Sequence, residues 1–219
     1  MFYSGARLAP LRDIGESMER PYFLKELAQT GYNIGYAAKK HLATYDIVEK
    51  APGWISLVTL GFGVFALVIP AMENHILAAV LLLIGIAAFY FNSYQDQRAR
   101  YENVGSRLTT LFTELRGLYY EAKGRHEGDD LADLEARYRE TLAESQSIGI
   151  SKQIFLSDWY AHYKFFWQAQ TDWLDEQLHF KFWRDKIPLS LSVTVFVVVI
   201  LVILGLTHIH ICLANGVAK

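Results

Sequence analysis

The chain alternates between two hydrophobic regimes: long runs with no charge, and segments whose apolar residues return every three or four positions. WISLVTLGFGVFALVIPAM (54–72), ILAAVLLLIGIAAFYF (76–91) and Pro188 to Ile209 are uncharged. A helix crossing a bilayer needs about 17–25 mostly apolar residues at about 1.5 Å each. The first and third runs meet that length, and the second does with His75 and Asn92 at the interfaces. Core helices of soluble proteins keep a polar face, so the runs predict three transmembrane helices. Only Met72-Glu73-Asn74-His75 separates the first two, with Pro70 just before, which predicts an antiparallel hairpin with a tip at the bilayer surface.

The periodic segments predict helices outside the membrane. Tyr101, Val104, Leu108, Leu111, Leu115, Leu118 and Tyr119 share one face of a helix that continues the second span as a stalk. GRHEGDD (124–130) reads as a turn, with Asp130 placed to cap a helix carrying Leu131, Leu134, Tyr138 and Leu142. A joint falls at Ser147–Ser151. Near the N-terminus two helices are expected, Glu16–Gln29 (started or interrupted at Pro21) and Tyr32–Lys50, the second with Ile34, Ala38, His41, Tyr45 and Val48 on one side. Ala51-Pro52-Gly53 is expected to break the chain at the membrane. The resulting division is N-terminal helices over 1–53, the hairpin over 54–92, a helical region over 93–186, a third transmembrane helix over 187–212 and a tail over 213–219. The fold class is all-α, a membrane protein.

Charge adds orientation. Lys39, Lys40 and Lys50 precede the hairpin, Arg98, Arg100 and Arg107 follow it, and its tip has no Lys or Arg. Lys181, Arg184 and Lys186 precede the third span and only Lys219 follows it. Positive flanks stay in the cytoplasm, which predicts a multi-pass inner-membrane protein with its N-terminus inside and its C-terminus outside. The first 50 residues hold no apolar core of signal-peptide length, so the first span is expected to serve as an uncleaved targeting signal. Cys212, the single cysteine, excludes an intrachain disulfide.

In QIFLSDWYAHYKFFWQAQTDWLDEQLHFKFW, Trp159, Phe166, Trp173 and Phe180 recur every seven residues. On a continuous helix that spacing forms one stripe, read here as an assembly or packing surface, with His179–Trp183 as an interfacial aromatic belt. Within the membrane, Ser56, Thr59, Gly63 and Ala66 fall on one face of the first span, and Ala78, Gly85, Ala88 and Asn92 on one face of the second. Such residues allow close helix packing or line a narrow, weakly polar pore. Ser56, Thr59, Gly63, Gly85 and Asn92 are therefore the pore-lining or helix-packing candidates, with Ser56, Thr59 and Gly63 preferred as pore-facing. No ionisable residue lies at mid-membrane, which argues against a proton-coupled transporter.

Little else suggests chemistry. Gly61-Phe62-Gly63 lies in a span and lacks the rest of a dinucleotide fingerprint. His208, His210 and Cys212 are spaced by two, so a helix points them to different sides, and no metal is expected. Asp129-Asp130 and Asp172/Asp175/Glu176 read as solvated helix faces. With net charge −2 and no basic stripe, no nucleic-acid partner is expected. The reading is of a non-enzyme without cofactors.

NIGYAAKKHLATYDIVEKAPGW leading into a short-tipped hairpin, RARYENVGSRLTTLFTELRGLYYEAK leaving it, and a second helix ending near QSIGISKQIF together resemble the SLATT family over residues 30–165. That resemblance implies a bacterial conflict or antiphage effector, often encoded beside nucleotide-second-messenger synthases, that forms a membrane-disrupting pore; since one subunit with three spans encloses no channel, a homo-oligomer is expected. A nucleotide second messenger or a regulatory protein is then the expected trigger. The alternative is a non-conducting scaffold that recruits a partner through the aromatic segment. The third span departs from the family's simplest layout.

Overall fold

The computed structural model describes residues 18–68 and 75–217. The hairpin tip (69–74), Glu16 and the last two residues lie outside the described residues, as do the side chains of Trp183, His208, His210 and Cys212. Among the described residues the elements are all helical: α1 (Arg20–Val68), α2 (His75–Asn92), α3 (Arg98–Gly124), α4 (Ala132–Ile148), α5 (Ser157–Tyr163), α6 (Asp172–Leu178), α7 (Phe182–Asp185) and α8 (Leu189–Val217).

The first correction concerns α1. One 49-residue helix replaces the two expected N-terminal helices and the first span, and it does not break at Ala51-Pro52-Gly53. Proline lacks an N–H, so Pro52 leaves the carbonyl of Val48, four residues earlier, without its helical donor. The side-chain amide of Gln95 supplies that donor, with Nε2 donating to Val48 O at 2.8 Å. A residue from the other limb of the hairpin thus repairs the gap. At about 1.5 Å per residue α1 is about 73 Å long, a single rod from the extramembrane body into the apolar zone.

The second correction concerns α3. It neither continues α2 directly nor projects as a stalk. A turn at Ser93-Tyr94 and a short 3₁₀ turn, Gln95–Gln97, separate α2 from α3. Beyond that joint α3 packs along the first half of α1. Its buried face is Tyr101, Leu108, Leu111, Leu115, Leu118 and Tyr119, and α1 meets it with Leu27, Ile34, Ala38 and Val48, all buried. Gly105 sets the spacing: a Cβ there would lie 2.7 Å from Leu42 Cγ and 3.2 Å from the Leu42 backbone nitrogen.

The α3–α4 turn carries Gly128 at φ 95°, where glycine is favoured. Asp130 sits one position before the helix boundary, where its carboxylate accepts the N–H of Ala132 at 2.9 Å. Asp129 accepts the N–H of His126 at 2.8 Å. On α4, Leu134 and Tyr138 are buried, and the preceding Leu131 is buried with them. The Tyr138 hydroxyl lies 2.9 Å from that of Thr30.

The third correction concerns 153–183, which is not one helix. α5 runs into a π-helical turn, Lys164–Gln168, followed by α6 and α7 with breaks between them. The hydrogen bonds trace a path up the body and back. Lys123 meets Glu176 at 2.6 Å near the end farthest from the hairpin. Trp159 Nε1 then donates to Ser190 Oγ at 2.9 Å, in the first turn of α8.

Candidate functional site

α1 and α2 pack as a hairpin. Along α2 the half-buried positions are Leu77, Leu81, Ile84, Ala87, Ala88 and Phe91, which line one face at helical spacing. Ile55, Gly61, Phe62 and Ala66 are the half-buried positions on α1 beyond Pro52. Ala66 therefore departs from its expected companions. Ser56, Thr59 and Gly63 lie instead on an open groove of α1, together with Ile55, Leu60, Val64 and Leu67. The Thr59 hydroxyl donates to Ile55 O at 2.8 Å, which satisfies it within its own helix. A Cβ added at Gly63 or at Gly85 would meet nothing within 4 Å, and Asn92 is exposed. Ser56, Thr59, Gly63, Gly85 and Asn92 are thus not where α1 and α2 meet, whereas Ala66 and Ala88 are.

The apolar halves of α1 and α2 are bare of protein among the described residues, since almost none of their most apolar stretches is buried. α8 is apolar along its length and its valines, leucines and isoleucines from Val193 to Leu204 are exposed. By length and apolarity α1 and α2 are each able to cross a membrane, while the apolar part of α8, Leu189–Gly205, is shorter.

Where the hairpin leaves the apolar zone, a collar ties both limbs to residues 149–157. Val48 of α1, Tyr94 of the joint, Tyr101 of α3 and Ile154 form a small buried cluster. Tyr101 Oη donates to Lys152 O at 2.5 Å, and Thr44 Oγ1 donates to Gln153 Oε1 at 2.6 Å. The Lys152 ammonium sits 4.5 Å from the Tyr94 ring centre. Burial, then the hydrogen bond with Tyr90, pushes the Tyr94 phenol up to about 12. Asp46 accepts from both Lys50, at 3.3 Å, and Lys164.

His41 is the buried hinge of this collar. Its Nδ1–H donates to Ala37 O at 2.7 Å, and its Nε2 accepts the N–H of Ile150 at 3.1 Å. The acceptor role requires a neutral ring with its proton on Nδ1. Burial pulls the His41 pKa below the usual histidine value, the bond to Ala37 O acts against it, and the Ile150 N–H on Nε2, which only the neutral ring can accept, works with burial. His162, packed 4.7 Å from the Phe166 ring, is lowered by burial too. Depressed histidine pKa values stabilise the fold fully above about pH 6.5, and that contribution is lost as pH falls toward the folded-state values. The body should therefore melt at a lower temperature at pH 5 than at pH 7.5, and His41→Gln should flatten part of that dependence. Melting curves of the detergent-solubilised chain at the two pH values check this, and an unchanged slope in the variant would refute it.

The four aromatics at seven-residue spacing go to different places. Trp173 is fully buried, with ring centroids 5.6 Å from Phe112 and 5.3 Å from Tyr119. Phe166 and Phe180 are half-buried and stack edge to face at 5.3 Å. Trp159 reaches α8 instead. The fully buried partner in this region is Phe165, against Tyr32 and Tyr36. The seven-residue pattern points to Phe166 alone because it assumes an unbroken α-helix; the π turn shifts the register by one residue. His41, Gln95 and Gln153 carry no local signal, because their partners lie on other elements.

The acidic groups near the turns are used structurally. Asp175 accepts the N–H of Phe180 at 2.6 Å, and the hydrogen bond from Lys123 holds the Glu176 carboxyl below its usual range. Among the described residues no group of three or more His, Cys, Asp or Glu could hold a metal ion.

A family model described as the SMODS and SLOG-associating 2TM effector domain 6 (SLATT_6) matches residues 18–195. The chain belongs to the SLATT family. The match reaches beyond the 30–165 suggested by the sequence, taking in the start of α1 and the whole α5–α7 return. It ends early in α8, so most of the third apolar helix lies outside the SLATT match. The hairpin of α1 and α2 is the pair of spans that the family description calls 2TM. No curated protein and no solved structure matches the chain.

Proposed function

We propose that this SLATT chain is an oligomeric pore-forming effector of bacterial antiphage defence, seated in the inner membrane with its helical body in the cytoplasm. The observation that carries the reading is the open, weakly polar groove of Ser56, Thr59 and Gly63 on α1, turned away from α2 and filled by none of the described residues. One subunit with three spans encloses no channel, so copies must assemble for the groove to face water. An apolar path of that kind conducts once it wets, and gating by dewetting needs no charged residue.

The unbroken α1 supplies the coupling. Its first half is packed by α3, α5 and α6, while its second half is membrane helix. A signal that repacks the body therefore turns the span directly, and the Ser93–Gln97 joint lets the return limb follow. The family description names association with SMODS and SLOG; on that basis the trigger is a nucleotide second messenger or a regulatory protein. Either must bind one state better than the other. Burial of Trp173 and Phe165 leaves the alternative, a non-conducting scaffold, with Trp167 and Phe182 as its exposed aromatic pair, 6.3 Å apart.

Dye leakage from liposomes containing the purified chain, alone and with a panel of cyclic nucleotides, tests the proposal. Leakage gated by one ligand is expected. No leakage from confirmed oligomers in any condition would leave the scaffold.

A further inference from the structure

The turn Ile154–Ser157 closes the collar in an unusual way. Ser157 N–H and Oγ–H both donate to Ile154 O, at 3.2 and 2.7 Å. Leu156, the third residue of the turn, has φ 71° and ψ −8°, the third-position geometry of a type II turn, which ordinarily takes glycine or asparagine. Here a leucine occupies it, 43% exposed, beside a phenylalanine 70% exposed. Among the described residues no packing accounts for two large apolar side chains at the tip of a strained turn, while Ile154 beneath them is buried in the collar.

The position of that tip is set by the hairpin. Phe155 N–H donates to Tyr90 Oη at 3.1 Å, and Tyr90 lies two residues before the end of α2. Counted back from the tip, Tyr90 on α2 and Trp54 on α1 are each about 22 Å away at about 1.5 Å per residue, one level on the two limbs. Tyrosine and tryptophan at the ends of spans mark the headgroup boundary. The turn is thus continuous with the membrane-facing surface of the hairpin at that depth, and Lys152 just before it suits anionic headgroups.

We infer that Phe155 and Leu156 form an interfacial wedge that inserts into the headgroup–acyl boundary of the bilayer and pins the 149–157 collar to it. This requires the hairpin to be inserted but does not require it to conduct. Lateral changes in the bilayer then reach α1 and α3 through the collar's bonds to Thr44 and Tyr101.

The test uses the full chain with Cys212→Ser and one new cysteine, carrying a nitrobenzoxadiazole label, in phosphatidylcholine–phosphatidylglycerol liposomes. Lipid nitroxides at acyl carbon 5 or carbon 12 act as shallow and deep quenchers. Phe155→Cys removes an exposed ring and no core packing. Its label should be quenched several-fold more by the shallow nitroxide than by the deep one. A Glu127→Cys label, in the α3–α4 turn, should be quenched by neither, and a Leu83→Cys label, inside α2, by the deep one. Quenching at 155 no greater than at 127, with 83 still quenched, would overturn the wedge while leaving the hairpin in place. Loss of quenching at 83 would remove the hairpin reading and the wedge with it. A label at 155 that is shielded from lipid but released on dilution into excess lipid would assign the tip to a second copy, also overturning the wedge.

Discussion

Trp173→Ala should destabilise the extramembrane body by about 3–5 kcal/mol, the range for truncating a buried aromatic to alanine. Trp173 is 2% exposed and joins three elements, resting on Phe112 and Tyr119 of α3 and on Gly31 of α1. Among the described glycines Gly31 leaves the least room for a side chain. A Cβ there would fall 2.3 Å from Trp173 Cη2 and 3.0 Å from Cζ2, which requires the indole to move. Gly31→Ala should therefore also destabilise, by about 1–3 kcal/mol as overpacking does. The two changes share one volume, so Gly31→Ala should do much less harm in the Trp173→Ala background, and a double-mutant cycle should return a clear coupling. Denaturant unfolding of the four proteins in detergent measures this, and simple additivity would mean that the indole does not seat against α1.

Gly63→Leu should abolish ligand-gated leakage while leaving membrane insertion intact. The position is open among the described residues, with nothing within 4 Å of an added Cβ, so a larger side chain has room to begin inside the subunit. Leucine also favours insertion at a helix centre by about 0.3–0.6 kcal/mol, so reduced insertion is not the expected cause of a lost activity. What it does is fill the groove with Leu60 and Val64 on either side. If a neighbouring copy or an aqueous path uses that groove, a branched side chain closes it. Membrane fractionation and leakage measured side by side separate the effects, and leakage unchanged by the substitution would remove the groove from the pore.

Much of this architecture is legible in the sequence because its signals are local. The three- and four-residue returns of Leu108, Leu111, Leu115 and Leu118, and of Leu134 and Tyr138, mark faces that are in fact buried. The four-residue link between apolar runs marks the hairpin. What is not legible depends on partners distant in sequence. Pro52 reads as a helix breaker because proline removes a donor, and only Gln95, 43 positions later, shows why the helix survives. The seven-residue spacing of aromatics suggests one helix, but a π turn redirects it and puts Phe165 rather than Phe166 in the core. The groove residues Ser56, Thr59 and Gly63 are identifiable as a small face from sequence alone. That this face turns away from α2 is decided by the packing of Ile55 and Phe62, which periodicity cannot rank against it.

The most direct measurement of the pore claim is the access of water to the small face of α1. In a Cys212→Ser background, single cysteines at Ser56, Thr59 and Gly63 would be exposed to a membrane-impermeant thiosulfonate in leaking liposomes, with Phe65→Cys, on another face of the same helix, as reference. The account predicts rapid modification at 56, 59 and 63 that blocks leakage, and slow modification at 65. Equal protection of all four positions while leakage proceeds would place the conducting path elsewhere and contradict it.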